Sequence, residues 1–114
     1  NKEFDGRSIV GDKPYDLKSG NYGNGDPSNR VKTESHGTHV AGIIAAERNN
    51  GKGANGVAKN VEIMSLRAVP NGDEYDKDIA NAIRYAADNG AKVINCSFGK
   101  SFSPNAGWVH DAIK

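Results

Sequence analysis

The chain has 114 residues, enough for one modest hydrophobic core and too few for two ordinary domains. Hydrophobic residues make up 36% and charged residues 25%, within the range of soluble globular proteins, while 14 glycines and a mean hydropathy of −0.69 point to much loop. Fifteen basic against fourteen acidic residues give a net charge of +1 with the signs interspersed, so neither nucleic acid nor an anionic membrane gains support as a partner, and no apolar run is long enough to span a bilayer.

The chain opens without an initiator Met and without a signal-peptide pattern at Asn1–Phe4, so a preceding segment is expected to have been processed, cleaved or left out. Residues 1–34 are rich in Gly, Asn, Asp and Ser and carry Pro14 and Pro27; only Arg7–Val10 reads as a short strand, and the rest as loop. A loop this long inside a compact domain covers a site or lacks its packing partner. Residues 35–47 are expected to form a helix with Ser35 as its cap, ending before Asn49-Asn50-Gly51. Its residues are small or apolar almost all round, the pattern of a helix buried on several sides; the face from Val40 to Ala46 should attract a partner if left open.

Beyond the Gly- and Asn-rich loop at 49–56, Val61–Val69 reads as a strand and Pro70-Asn71-Gly72 as a turn. Asp76–Asn89 places Ile79, Ala82, Ile83, Ala86 and Ala87 on one helical stripe, with Asp76 or Asp78 at its positive end and Gly90 as its stop. Asp73, Glu74, Asp76 and Asp78 read as solvated acids favouring the helix start and not as a metal site. Val93–Phe98 is a second short strand, completing a right-handed βαβ unit over 61–99, and a further helix begins near Ala106 and runs to Lys114. The fold class is α/β, with a parallel sheet flanked by helices. The lone Cys96 cannot form an intrachain disulfide and is expected to be a small buried residue.

The stretch His36-Gly37-Thr38-His39-Val40-Ala41-Gly42 carries the chemistry. A general base must be held rigidly while its imidazole stays open to a nucleophile, and the first residue of a helix meets both needs. A lone histidine is usually a cap or a core residue, a reading that suits His39 better than His36. The pair at i and i+3 could share a metal ion, but no Glu follows as in a zinc-peptidase helix, so zinc is not expected.

Ser35–Gly42 resembles the histidine motif of the subtilases, the subtilisin-like serine peptidases, in which the first histidine of His-Gly-Thr-His is the catalytic base. The resemblance continues through Gly56-Val57-Ala58, Leu66-Arg67-Ala68-Val69 and Val93-Ile94-Asn95-Cys96-Ser97-Phe98-Gly99. Before the motif, Val10-Gly11-Asp12 and Asn24-Gly25-Asp26 are similar to bacterial members. Several linked blocks in order are far more specific than one short motif. The resemblance implies part of a three-layer fold and a secreted, periplasmic or envelope-associated endopeptidase acting on polypeptides. It assigns the base to His36 and a substrate-binding segment, which pairs with an extended peptide through its backbone, to Ser97, Phe98 and Gly99; a second such strand would lie near Asn71–Tyr75.

No Asp of this chain sits in the family's Asp-Ser/Thr-Gly motif, and no Gly-Thr-Ser occurs. Asp5, Asp12, Asp16 and Asp26 read as loop acids. The expectation is a middle fragment that is inactive alone, its partners in the triad lying before Asn1 and after Lys114. Residues 49–56 occupy the position of a loop that binds calcium in many subtilases. This version offers Asn49, Asn50 and Asn55 but no carboxylate, and Lys52 adds positive charge, so no cofactor is required and calcium at Asn49 and Asn50 is not the expected state. The rival readings are a noncatalytic peptide-binding module and an inactive fragment.

Overall fold

The structure is a computed structural model that describes residues 11–13, 15–18, 22–70 and 72–114. The expected strand at Arg7–Val10 and residues Asp5 and Asn71 lie outside the described residues. Three helices are formed: α1, His36–Ala45; α2, Asp76–Asp88; and α3, Ala106–Ile113. The chain divides into two compact units, Pro27–Leu66 in one, and in the other the N-terminal part to Asp26 together with Arg67–Lys114.

In the larger unit α2 packs against α3. Its buried apolar side chains are Ile79, Ala80, Ile83 and Ala86. Of the expected stripe, Ile79, Ile83 and Ala86 are buried. Ala87 is exposed and Ala82 half-buried, while Lys77 and Ala80 are buried in their place. The reason is the polar N-terminal loop, which covers the first turns of α2. Lys77, only 1% exposed, forms an ion pair with Asp12, donates to the carbonyl of Lys13 at 2.6 Å and lies 4.1 Å from the centre of the Tyr22 ring. The Tyr22 hydroxyl donates to Asp78 Oδ1 at 2.5 Å and accepts from Asn81 Nδ2 at 3.1 Å. Burial, then the bond to Asp78, pushes this phenol well above the usual tyrosine range. Asp12 lies in the loop as expected, with its side chain buried against Lys77. Of Asp73, Glu74, Asp76 and Asp78, all expected to be solvated, Glu74 and Asp76 are instead buried.

α2 ends as its sequence requires. Gly90 takes φ +90°, its N–H bonds Ala87 O at 3.1 Å, and the N–H of Ala91 bonds Ala86 O at 2.9 Å. This pair of bonds satisfies the last carbonyls of the helix and favours glycine at the left-handed position.

In the smaller unit the chain after α1 folds back on the end of that helix. Val57 and Ala58 donate their backbone N–H groups to Ile43 O at 2.9 Å and Ile44 O at 2.8 Å, and Gly56 to Ala46 O at 3.0 Å. Carbonyls that a helix end leaves open are thereby filled. Only glycine fits at 56, because a Cβ there would lie 2.4 Å from the backbone N of Ala46. α1 itself has no buried residue, and Ile43 is 54% exposed. The expectation of a helix covered on several sides is not met within its unit.

The two expected strands are also not formed: among the described residues none is in a strand. Parallel strands stand only in multi-stranded sheets covered on both faces. Here Ile63 and Val93, which would face such layers, are exposed, the latter at 87%. The helix of the expected βαβ unit is present without the ladder on either side.

Candidate functional site

Ser35 precedes α1 with φ −104° and ψ −5°, and its side chain makes no capping bond; its carbonyl instead accepts the N–H of His39 at 2.9 Å. His36 is thus the first helical residue, fixed in backbone and exposed in side chain. Gly37 leaves open space beside it, since nothing lies within 4 Å of where its Cβ would stand. His39 is exposed as well, and no group of three or more His, Cys, Asp or Glu side chains that could hold a metal ion occurs among the described residues.

Ser97, Phe98 and Gly99 are exposed in the larger unit, whereas His36 belongs to the smaller one. Asn95 Nδ2 donates to Ser97 Oγ at 2.8 Å, which ties the hydroxyl to its own segment. Cys96, expected to be buried, is exposed, because the layer that would cover this segment is not formed.

The polar groups around 100–105 were invisible to pattern reading. Lys100 Nζ donates to Glu74 O at 2.7 Å and pairs with Asp76 Oδ1 at 3.0 Å. Asp76 Oδ1 also accepts from Ser103 Oγ, and its Oδ2 from the Asn105 N–H at 2.8 Å. Burial raises the pKa of this carboxyl, but the bonds from Ser103, Asn105 and Lys100, with the charge of Lys100, outweigh it and hold the group below the ordinary carboxylate value. The available signal was a Ser-Pro-Asn run two elements away from an acidic helix start, and such a run reports no distant partner.

Three oxygens of the 49–56 loop accept hydrogen bonds from the loop and its flank. Asn55 Oδ1 accepts the N–H of Asn49 at 2.9 Å, Asn50 Oδ1 accepts that of Lys52 at 3.0 Å, and Gly56 O accepts from the Arg48 guanidinium. Arg48 Nε is buried and makes no hydrogen bond. The loop carries a guanidinium at its closure and no carboxylate among residues 49–56.

The family model of the Subtilase family matches residues 6–114. A thermophilic serine proteinase of Bacillus sp. (strain AK1) is 48% identical over 98 residues, covering 85% of this chain and 22% of that protein. The cell wall-associated protease of Bacillus subtilis (strain 168) is 46% identical over 81 residues, 68% of this chain and 9% of its own. Thermitase of Thermoactinomyces vulgaris is 49% identical over 65 residues, 56% and 23% of the two chains. No solved structure gives a significant match. The chain belongs to the subtilase family. It spans less than a quarter of the length of these three relatives.

Proposed function

We propose that the chain is a segment of a subtilisin-like serine endopeptidase that supplies the general base, His36, and a substrate-binding segment, Ser97–Gly99. The observation that carries this is the exposed imidazole at the first position of α1, inside the His-Gly-Thr-His motif and within the family match. In the parent protease His36 takes the proton of the serine hydroxyl as its oxygen attacks the peptide carbonyl, and returns it to the leaving amine; water then releases the acyl group with the same proton traffic. The backbone of Ser97–Gly99 pairs with the extended polypeptide, reading little of its side chains. In that parent, Val61–Val69 and Val93–Phe98 become strands of a parallel sheet, and the exposed face of α1 is covered. The relatives include proteins named as extracellular and cell wall-associated, which supports a place outside the cytoplasm or in the envelope. No cofactor is needed for the chemistry. No helix among the described residues is long and apolar enough to cross a membrane.

The test has two arms. The coding sequence on either side is read for Asp-Ser/Thr-Gly upstream and Gly-Thr-Ser downstream, and peptide hydrolysis by the full-length parent is measured with and without His36→Ala. Both motifs and a loss of kcat of about 10⁴-fold or more are expected. Peptide binding that survives without hydrolysis would indicate a noncatalytic binding module.

A further inference from the structure

Lys100 follows Ser97–Gly99 directly, and its ammonium joins that segment to the start of α2. Its two partners, Glu74 O at 2.7 Å and Asp76 Oδ1 at 3.0 Å, are 26 and 24 residues away in sequence. The pair is nearly dry, with the side chains of Lys100 and Asp76 10% and 5% exposed. Asp76 in turn holds Ser103 Oγ and the Asn105 N–H, so both of its oxygens are committed to the stretch after Gly99. Three points at 100, 103 and 105 are therefore fastened to one carboxylate at the first position of α2. Ser97, Phe98 and Gly99 are exposed, and Lys100 is the anchor nearest to them in the chain.

Resting on the peptide-binding role proposed above for Ser97–Gly99, we propose that Lys100 and Asp76 are positioning residues for the polypeptide substrate. Neither touches the reacting atoms. Their pair fixes where the Ser97–Gly99 backbone stands relative to the N-terminus of α2. An edge that binds peptide through N–H and C=O groups depends on that placement, because hydrogen bonds weaken steeply with distance and misalignment. An extended peptide uses the edge over several residues and feels any shift. A small ester reaches only the reacting centre and does not. A merely structural pair would affect both substrates equally.

The experiment uses the full-length parent with Lys100→Met, Lys100→Gln and Lys100→Arg, measured on an extended peptide and on a small ester, with thermal midpoints alongside. Lys100→Met is expected to raise KM for the peptide about tenfold or more, because the displaced Ser97–Gly99 edge loses alignment in its hydrogen bonds to the peptide. Its kcat on the ester should change by less than about twofold, since uniform binding of the remote chain is what is lost. Lys100→Arg, which keeps the charge, should recover most of the peptide KM. Lys100→Gln keeps a donor for Glu74 O without the charge and provides the reading if Lys100→Met does not fold. Equal losses on both substrates, or an unchanged peptide KM in folded variants, would overturn the proposal. Retained ester hydrolysis in His36→Ala would instead count against the enzymatic reading, so the two failures are distinct.

Discussion

Lys77 and Asp12, 65 residues apart in sequence, meet in an ion pair whose side chains are 1% and 2% exposed. Each charge has lost its water and is compensated by the other, with the Lys13 carbonyl and the Tyr22 ring completing the surroundings of the ammonium. The pair joins the polar loop to α2, so the side chain of Asp12 belongs to the unit's interior.

Breaking such a pair from one side leaves a buried charge without a partner, which typically costs about 3–5 kcal/mol. Asp12→Ala is expected to lower the unfolding free energy measured by urea denaturation by an amount in that range. Replacing both residues, Asp12→Leu with Lys77→Met, should recover much of the loss, because the desolvation of both ions disappears with their attraction. A single variant as stable as the unmodified chain would show that water reaches Lys77.

The helices were legible in the sequence because their signals are local. His36 follows a Ser and opens a run of small apolar residues; Ile79, Ile83 and Ala86 recur at helical spacing; Gly90 supplies the left-handed stop. The strands were legible only as β-prone composition, since Val61–Val69 and Val93–Phe98 need neighbours for their backbone groups, and the ladder is not formed. The site divides in the same way. His36 stands where its motif puts it, while Lys100, Asp76, Ser103 and Asn105 come together through distant turns that no periodicity records. Lys77 was hidden for a related reason: a lysine on a helix reads as solvated until the carboxylate that buries it is known.

The 49–56 loop gives an expectation about metal. The amide oxygens of Asn50 and Asn55 already accept backbone N–H groups, and Arg48 brings a fixed positive charge to Gly56 O. Thermal midpoints of the chain in excess calcium and in excess chelator are expected to coincide. Arg48→Ala should lower stability by about 1.5–3 kcal/mol through loss of a charged donor, with no recovery on adding calcium. A midpoint that rises with calcium in the unmodified chain would mean that the loop reorganises around the ion.

Asp76 contributes to the pH dependence of the larger unit's stability. Its carboxyl has a folded-state pKa below the ordinary carboxylate value, because the bonds from Ser103, Asn105 and Lys100 favour the charged form more than burial opposes it. A depressed folded pKa means that the unfolded chain binds the proton more readily. The contribution of Asp76 is therefore fully present above the unfolded value and is lost as pH falls through the folded one. Asp76→Asn removes this linkage. The variant should be less stable than the unmodified chain at neutral pH, because the charge facing Lys100 is gone, and the difference between them should narrow as pH falls below about 4. Urea denaturation of both proteins across that window measures it. A gap that stays constant from neutral pH to below the folded pKa would show that the carboxylate is not held by these bonds.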